Sequence, residues 1–254
     1  MAKGFKEAGE KPRRFYTAVS VEAVEGGFAL KLDSRSLRTP RAAPMILPTR
    51  ALADLVAEEW AAQGEHIEMA LMHATRLANT ALDAIPQARD GTAAKIADYA
   101  GSDLLCYFAQ DPEGLVDRQQ RHWGPVLQRA EREFEVAFVR AAGIVHRDQP
   151  AETLAKVKAM ALAMDDFGLV GVAFGTALFG SAILAFGLAR GWMSGVQALE
   201  LSRLDEVFQE EKWGVDDEAA ERTARHVVEA QMLERWFTAL QLTPGELAQA
   251  SRRD

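Results

Sequence analysis

Residues 167–189 read FGLVGVAFGTALFGSAILAFGLA and contain no charged side chain. As one α-helix this stretch would extend about 34 Å, enough to cross the hydrocarbon core of a bilayer. It lies between Asp166 and Arg190, so no strong basic flank sets a membrane orientation. Its many glycines and alanines would equally let neighbouring helices approach closely in a soluble bundle. The residues favour a buried central helix and leave a membrane span open.

The overall composition is that of a globular protein that can bury a core. Of the 254 residues, 48% are hydrophobic and 26% are charged, close to the globular average. The length fits two modest domains. The formal net charge of -8 argues against nucleic-acid binding, because proteins that bind the phosphate backbone usually carry a basic face. The single cysteine, Cys106, excludes an intramolecular disulfide.

Strand-like alternation begins after residues 1–13, which are predicted to be a flexible tail. Apolar or small residues recur at every second position on both sides of Gly26-Gly27, a pair typical of a hairpin turn. These positions are Tyr16, Ala18 and Ser20 before the turn and Phe28, Leu30 and Leu32 after it. The pattern predicts a small antiparallel sheet. A helical period follows at 49–63, with Thr49 in the N-cap position.

Helical periodicity then dominates from about residue 71 to the C-terminus. Pro86 ends the helical pattern that begins at Leu71. Further helices are predicted near 115–140, 151–164, 167–188, 194–212 and 216–240. The predicted fold class is therefore α+β. A small N-terminal antiparallel β-rich domain with one helix, residues 14–72, precedes a larger α-helical bundle domain, residues 73–254.

The residues offer no recognised catalytic or cofactor-binding pattern. Neither a G-x-x-x-x-G-K-[ST] phosphate loop nor a G-x-S-x-G nucleophile elbow occurs. None of the five histidines has a partner at the spacing of a helical zinc or di-iron site. Cys106 lies among apolar residues, which favours an inert packed thiol. We therefore expect no catalytic residue, no cofactor and no metal.

Clusters of carboxylates are the remaining candidates for function. Asp216 precedes the last predicted helix as its N-cap, and Asp217 and Glu218 would interact favourably with the helix dipole. This structural role is sufficient to explain the acidic run. The alternative is that the run and the neighbouring Trp213 form a polar-rimmed contact for a basic partner surface. A catalytic pair near Asp205 and Glu206 would be an enzyme alternative.

Several segments, in order along the chain, resemble the F1-ATPase assembly chaperones that handle the F1 α subunit. The matching motifs are RFY at 14–16, LD-x-R-x-L-x-TP at 32–40, EW-x-x-Q at 59–63, T-x-L-x-NTA-x-D at 75–83, DLLCY at 103–107, Q-x-x-x-W-x-P-x-L at 119–127, LSRLDE-x-x-Q at 201–209 and WG at 213–214. Each motif alone is weak. Their order over most of the chain makes a chance match improbable.

The resemblance implies a soluble, non-catalytic chaperone of two domains. It would hold the free F1 α subunit until the β subunit takes its place, with no nucleic acid, membrane insertion or small-molecule substrate involved. Residues 167–189 would then form a buried bundle helix. A bacterial member would be cytoplasmic, whereas organellar relatives work in the mitochondrial matrix.

An acidic residue near the C-terminal Trp-Gly segment is associated with the function of this family. The match does not select one position, and the candidate partner-binding residues are Glu206, Trp213, Asp216, Asp217 and Glu218. Two alternatives stay open beside the chaperone. One is an enzyme that uses the Asp205/Glu206 pair, and the other is a membrane-associated accessory subunit that uses the apolar stretch.

Overall fold

The computed structural model describes residues 11–143, 147–214 and 216–241. Contacts among the described residues define two compact units, one within residues 80–238 and the other formed by residues 11–79 with 239–241. The predicted domains, 14–72 and 73–254, divide the chain slightly earlier and assign its end to the helical domain, and they stay a prediction. Of the predicted tail, residues 1–10 lie outside the described ranges. Pro12 accepts a hydrogen bond from the backbone N–H of Ile67 at 2.8 Å.

The first unit contains the antiparallel sheet that the alternating pattern predicts. The strands are β1 Val19–Val24, β2 Gly27–Leu32, β3 Arg35–Ser36 and β4 Ile46–Leu47. Strand β2 pairs antiparallel with each of the other three. The β1–β2 hairpin turns at Gly26, so this prediction is confirmed.

Helix α1, Arg50–Ala61, follows the sheet and confirms the predicted N-cap. The hydroxyl of Thr49 accepts a hydrogen bond from the N–H of Leu52 at 3.1 Å. Near the end of α1, the carboxylate of Glu59 accepts hydrogen bonds from the N–H groups of Ala74 and Thr75, both at 2.8 Å. These are the first residues of the next helix, so Glu59 satisfies donors that an α-helix leaves unpaired.

Helices form nearly all of the rest of the described chain. They are α2 His73–Asp83, α3 Ile85–Gly101, α4 Glu113–Phe134, α5 Ala151–Leu162, α6 Asp166–Phe179, α7 Ala182–Ala189, α8 Gly195–Ser202, α9 Leu204–Trp213 and α10 Asp217–Leu240. Two short parallel strands, β5 Tyr107–Phe108 and β6 Ala141–Ala142, add a pairing that the periodicity did not predict. The predicted α+β class is confirmed.

The apolar stretch 167–189 is two helices, so the prediction of one continuous helix is wrong. Gly180 has a left-handed φ of 62°, which ends α6. Ser181 then begins α7 by accepting a hydrogen bond from the N–H of Leu184 at 3.0 Å. The fully buried Asp103 accepts from the Ser181 hydroxyl at 2.7 Å and from the N–H of Ile183 at 3.0 Å. These contacts stabilise the break.

The predicted burial of the stretch is nevertheless correct for most of its residues, with Ala177 of α6 exposed. Every residue from Ala182 to Leu188 is buried. A methyl group added at Gly171 of α6 would lie 2.9 Å from the Phe237 ring of α10, so these helices approach as closely as the small residues suggest. No helix within the described ranges is both long enough and apolar enough to span a membrane. The membrane span left open by the sequence is therefore not found in this part of the chain.

Candidate partner-binding surface

Helix α9 carries two of the predicted partner-binding residues on the face that points away from the core. Leu204 and Phe208 are buried on its inner side. Glu206 and Trp213 are seven residues apart, about two helical turns, and share the opposite face. Glu206 is exposed, and 77% of Trp213 is accessible to solvent. The fold therefore brings these two side chains onto one surface.

Arg203 links the carboxylates on this face. Its guanidinium donates hydrogen bonds to Glu206 at 2.8 Å and to Glu210 at 2.6 Å. The arginine side chain is only 15% exposed, whereas that of Glu206 is 63% exposed. Glu206 is thus oriented by an internal ion pair and still presents an oxygen to solvent. The prediction missed Arg203, although its spacing of three residues from Glu206 is typical of helical ion pairs.

A second ion pair orients the last turn of α9. Arg118 of α4 forms two parallel hydrogen bonds with Glu211, both 2.8 Å long. The hydrogen bond from Arg118 lowers the pKa of Glu211 and raises the pKa of the arginine. Lys212 lies 4.3 Å from the centre of the Phe208 ring. Contacts on both sides of the turn therefore position Trp213. Arg118 and Glu211 are 93 residues apart, so no local sequence pattern predicts that they pair.

The remaining candidates begin the following helix. Gly214, with a φ of 84°, ends α9, and Val215 lies outside the described residues. The carboxylate of Asp216 accepts a hydrogen bond from the N–H of Ala219 at 2.8 Å, which confirms the predicted N-cap. Asp217 and Glu218 lie exposed in the first turn of α10, where the helix dipole favours negative charge.

Asp205 and Glu206 do not form a converging carboxylate pair. Asp205 accepts a hydrogen bond from the amide of Gln119 at 2.7 Å, whereas Glu206 pairs with Arg203 on another side of the helix. Partial burial raises the pKa of Asp205, opposed by the hydrogen bond from Gln119. Among the described residues, neither Glu206 nor a histidine lines an open hollow of about 500 Å³ beside Asp205. The geometry gives no support to the enzyme alternative.

Gln119 itself has a structural role that its place in a sequence motif did not disclose. It is fully buried, and its carbonyl oxygen accepts a hydrogen bond from the N–H of Ala109 at 2.7 Å while its amide donates to Asp205.

Among the residues that the structure describes, no three histidine, cysteine or acidic side chains are grouped to hold a metal ion. Cys106 is buried, and burial raises its pKa, as an inert thiol requires.

Comparison with known proteins identifies relatives over most of the chain. The family described as ATP12 chaperone protein matches residues 13–131. The crystal structure of Atp12 from Paracoccus denitrificans is 38% identical, with a TM-score of 0.85, over 91% of this chain and 99% of that one. The Atu1473 protein from Agrobacterium tumefaciens is 40% identical, with a TM-score of 0.86, over 91% and 87% of the two chains.

A more distant relative comes from a eukaryote. The mitochondrial protein atp12 of Schizosaccharomyces pombe is 21% identical over 221 residues, which are 82% of this chain and 76% of that protein. The small antiparallel sheet and the helical unit give the chain the fold of the Atp12 structures, a class of assembly chaperones. The chain belongs to the ATP12 chaperone family. The resemblance read from the sequence motifs is thereby confirmed.

Proposed function

We propose that this chain is a non-catalytic chaperone for assembly of the F1 sector of ATP synthase. It holds the free α subunit soluble until the β subunit replaces it. Membership of the ATP12 chaperone family supports the general role. In a bacterial host the site of action is the cytoplasm, since the chain and the F1 α subunit would both be made there. The mitochondrial name of the S. pombe relative fits the matching role in an organelle.

The exposure of Trp213 is the observation that most supports a client-binding surface. All five tryptophans lie in the described ranges, and Trp60, Trp123 and Trp236 are buried, Trp192 is half-buried and Trp213 is 77% exposed. Tryptophan is strongly enriched among the residues that dominate binding energy at protein interfaces. An exposed indole at the end of a helix held by ion pairs is a pre-positioned apolar anchor.

Carboxylates next to Trp213 suggest the charge of the client surface. Glu206 shares its helix face, and Asp216, Asp217 and Glu218 follow after the turn. With a net charge of -8, the chain would attract a basic patch and disfavour acidic partners. We propose that these four acids form a polar rim around the tryptophan, as is common in transient interfaces.

The proposed mechanism depends on a difference in interface size. An unassembled subunit exposes apolar surface that its neighbour normally covers, and such patches promote aggregation. A chaperone that covers part of this surface shifts the equilibrium away from aggregation through binding alone. The true neighbour displaces it by burying a larger area. Because this mechanism needs no bond to be made or broken, we propose no catalytic residue, cofactor, metal or small-molecule substrate.

Co-expression with the α subunit of the host F1-ATPase tests the proposal. We expect the α subunit to become soluble and to co-purify with the chain in a defined ratio. The control is co-expression with the β subunit, which should gain little solubility. If α stays insoluble and unbound at every expression ratio, the proposed function is wrong.

A further inference from the structure

A second surface lies between α4 on one side and α8 and α9 on the other. We call this open trough of about 890 Å³ the α4/α9 groove. Its partly buried apolar lining includes Val126, Met193, Leu201 and Val207. On α4 the lining extends from Arg118 to Val126, a distance of about 12 Å at the helical rise. The groove therefore has the length of two turns of a helix.

The walls of the groove are joined by hydrogen bonds that hold them at a fixed separation. These bonds are Trp123 Nε1 to the Leu201 carbonyl oxygen at 2.9 Å, Arg118 to Glu211 at 2.8 Å and Trp192 Nε1 to Glu133 at 3.0 Å. The first links α4 to α8, the second links α4 to α9, and the third links α4 to the segment before α8. The Trp192 ring also stacks on Phe134, with 5.4 Å between centroids. The groove is thus largely preformed, which lowers the cost of ordering on binding.

Charges of opposite sign stand on the two sides of the groove. Arg121 and His122 are exposed on α4, and Glu200 is exposed on α8. The Nε–H of Arg121 donates only to the carbonyl oxygen of Asp117 in its own helix, at 3.2 Å. Within the described residues, neither Arg121 nor Glu200 has an ion-pair partner. An occupant can therefore complement both sides at once.

Proline in the middle of α4 adds a backbone acceptor near the basic side. Pro125 has no N–H, so the carbonyl oxygen of Arg121 does not receive the usual helical hydrogen bond from it. Apolar lining and opposite charges together describe a site for a polar-edged polypeptide, not for a small apolar molecule.

We propose that the α4/α9 groove docks a short amphipathic helix of the unassembled α subunit. Its apolar face would cover Met193 and Val207, an acidic side chain would pair with Arg121, and a basic side chain would pair with Glu200. Val207 in the groove and Trp213 in the surface proposed above belong to the same ten-residue helix, on different faces. This inference rests on the proposed function and adds a second contact for the same client.

Charge reversal on each side of the groove tests the proposal. We would measure the dissociation constant of the full chain for purified α subunit at one fixed ionic strength. Arg121→Glu and Glu200→Lys should each weaken binding about tenfold or more. They change the net charge in opposite directions, so a shared loss cannot come from overall charge. Lys95→Glu, at an exposed position of α3, is the matched control and should bind within about twofold of the wild type.

A near-isosteric variant gives an independent measurement. Met193→Gln keeps the side-chain length and removes its apolar character, and it should weaken binding several-fold. Thermal unfolding would verify that each variant folds. If the wild type binds and all three groove variants bind as Lys95→Glu does, the groove proposal is overturned and the chaperone function stands. If the wild type itself fails to bind the α subunit, the proposed function is wrong and the groove loses its occupant.

Discussion

At the scale of single residues, Trp213 differs from the other tryptophans because its neighbours hold it out of the core. Its position in the last turn of α9 follows from contacts made by the preceding residues, Glu211 with Arg118 and Lys212 with Phe208. When a partner covers a large ring that was exposed to water, the free energy of the system falls, which stabilises the complex. The residue is therefore suited to binding and contributes little to the stability of the free chain.

Replacement of Trp213 by alanine should separate binding from stability. We expect the variant to bind the α subunit about tenfold to a hundredfold more weakly, the loss of an interface hot spot. Its free energy of unfolding should change by less than about 0.5 kcal/mol, because the side chain is exposed. Calorimetry and urea denaturation would measure the two quantities. Tyr99→Ala, at a 42% exposed position of α3, is the control and should leave binding unchanged.

Asp103 is a residue whose importance comes from burial instead of exposure. Burial raises its pKa to about 6, opposed by hydrogen bonds from Ile183, Ser181 and Leu105. Because the folded-state pKa lies above the ordinary value, the folded protein binds this proton more tightly than the unfolded chain does. The contribution of the Asp103 proton to the free energy of unfolding is complete below about pH 4 and is lost as the pH rises through 6.

The Asp103→Asn variant should reveal this pH dependence. Asparagine does not titrate, so the free energy of unfolding of the wild type, relative to the variant, should fall by up to about 3 kcal/mol between pH 4 and pH 7. Urea denaturation of both proteins at several pH values would give the difference. A difference that stays constant or grows with pH would contradict the prediction. It would mean that the hydrogen-bond donors outweigh burial.

At the scale of elements, the break between α6 and α7 determines how the helical unit is built. Gly180 takes a left-handed conformation at the end of α6, and Asp103 accepts hydrogen bonds from the start of α7. The 23-residue apolar stretch is thereby divided between α6, which has 14 residues beginning at Asp166, and α7, which has 8 residues. Both can then pack within one core in place of a single rod.

Two glycine-to-alanine changes test the origin of this break. Gly180→Ala should lower the free energy of unfolding by about 1–2 kcal/mol, because a side chain disfavours the left-handed conformation. Gly91→Ala, within α3 and equally free of neighbouring atoms, should raise it by up to about 1 kcal/mol through helix propensity. Thermal unfolding of the pair would show opposite signs. Equal effects of both changes would rule out conformational strain as the cause.

At the scale of the whole molecule, the proposed role requires an interface strong enough to hold the client and weak enough to release it. Anchors at few positions, with polar rims, fit a transient complex better than a permanent one. The free chain would bind only the surface that the β subunit covers later. The two partners then compete for the α subunit.

Addition of purified β subunit to the complex tests this competition. We expect the chain to be released as α and β associate, so that it elutes alone in size-exclusion chromatography. Bovine serum albumin at the same concentration is the control and should release nothing. A stable three-protein complex would contradict displacement and would place the two binding surfaces on different parts of the α subunit.

Predictability from the sequence depended on how local each interaction is. The hairpin at Gly26, the N-cap at Thr49 and the N-cap at Asp216 were predicted because each is encoded by residues only a few positions apart. The ion pair of Arg203 with Glu206 is equally local, with three residues between the partners, but it was not predicted. The ion pair between Arg118 and Glu211 had no such signal.

By itself the sequence predicted the α+β class, the starts of α1, α4, α5 and α10 to within about two residues and, through its ordered motifs, the family. It predicted one helix over 194–212, where the structure has the separate helices α8 and α9. Only the tertiary structure decided that residues 167–189 form two helices and that Asp205 and Glu206 point to different partners. The α4/α9 groove likewise appears only when α4 lies against α8 and α9. The physical reason is distance along the chain. Asp103 and Ser181 are 78 residues apart, and only folding brings them within 2.7 Å.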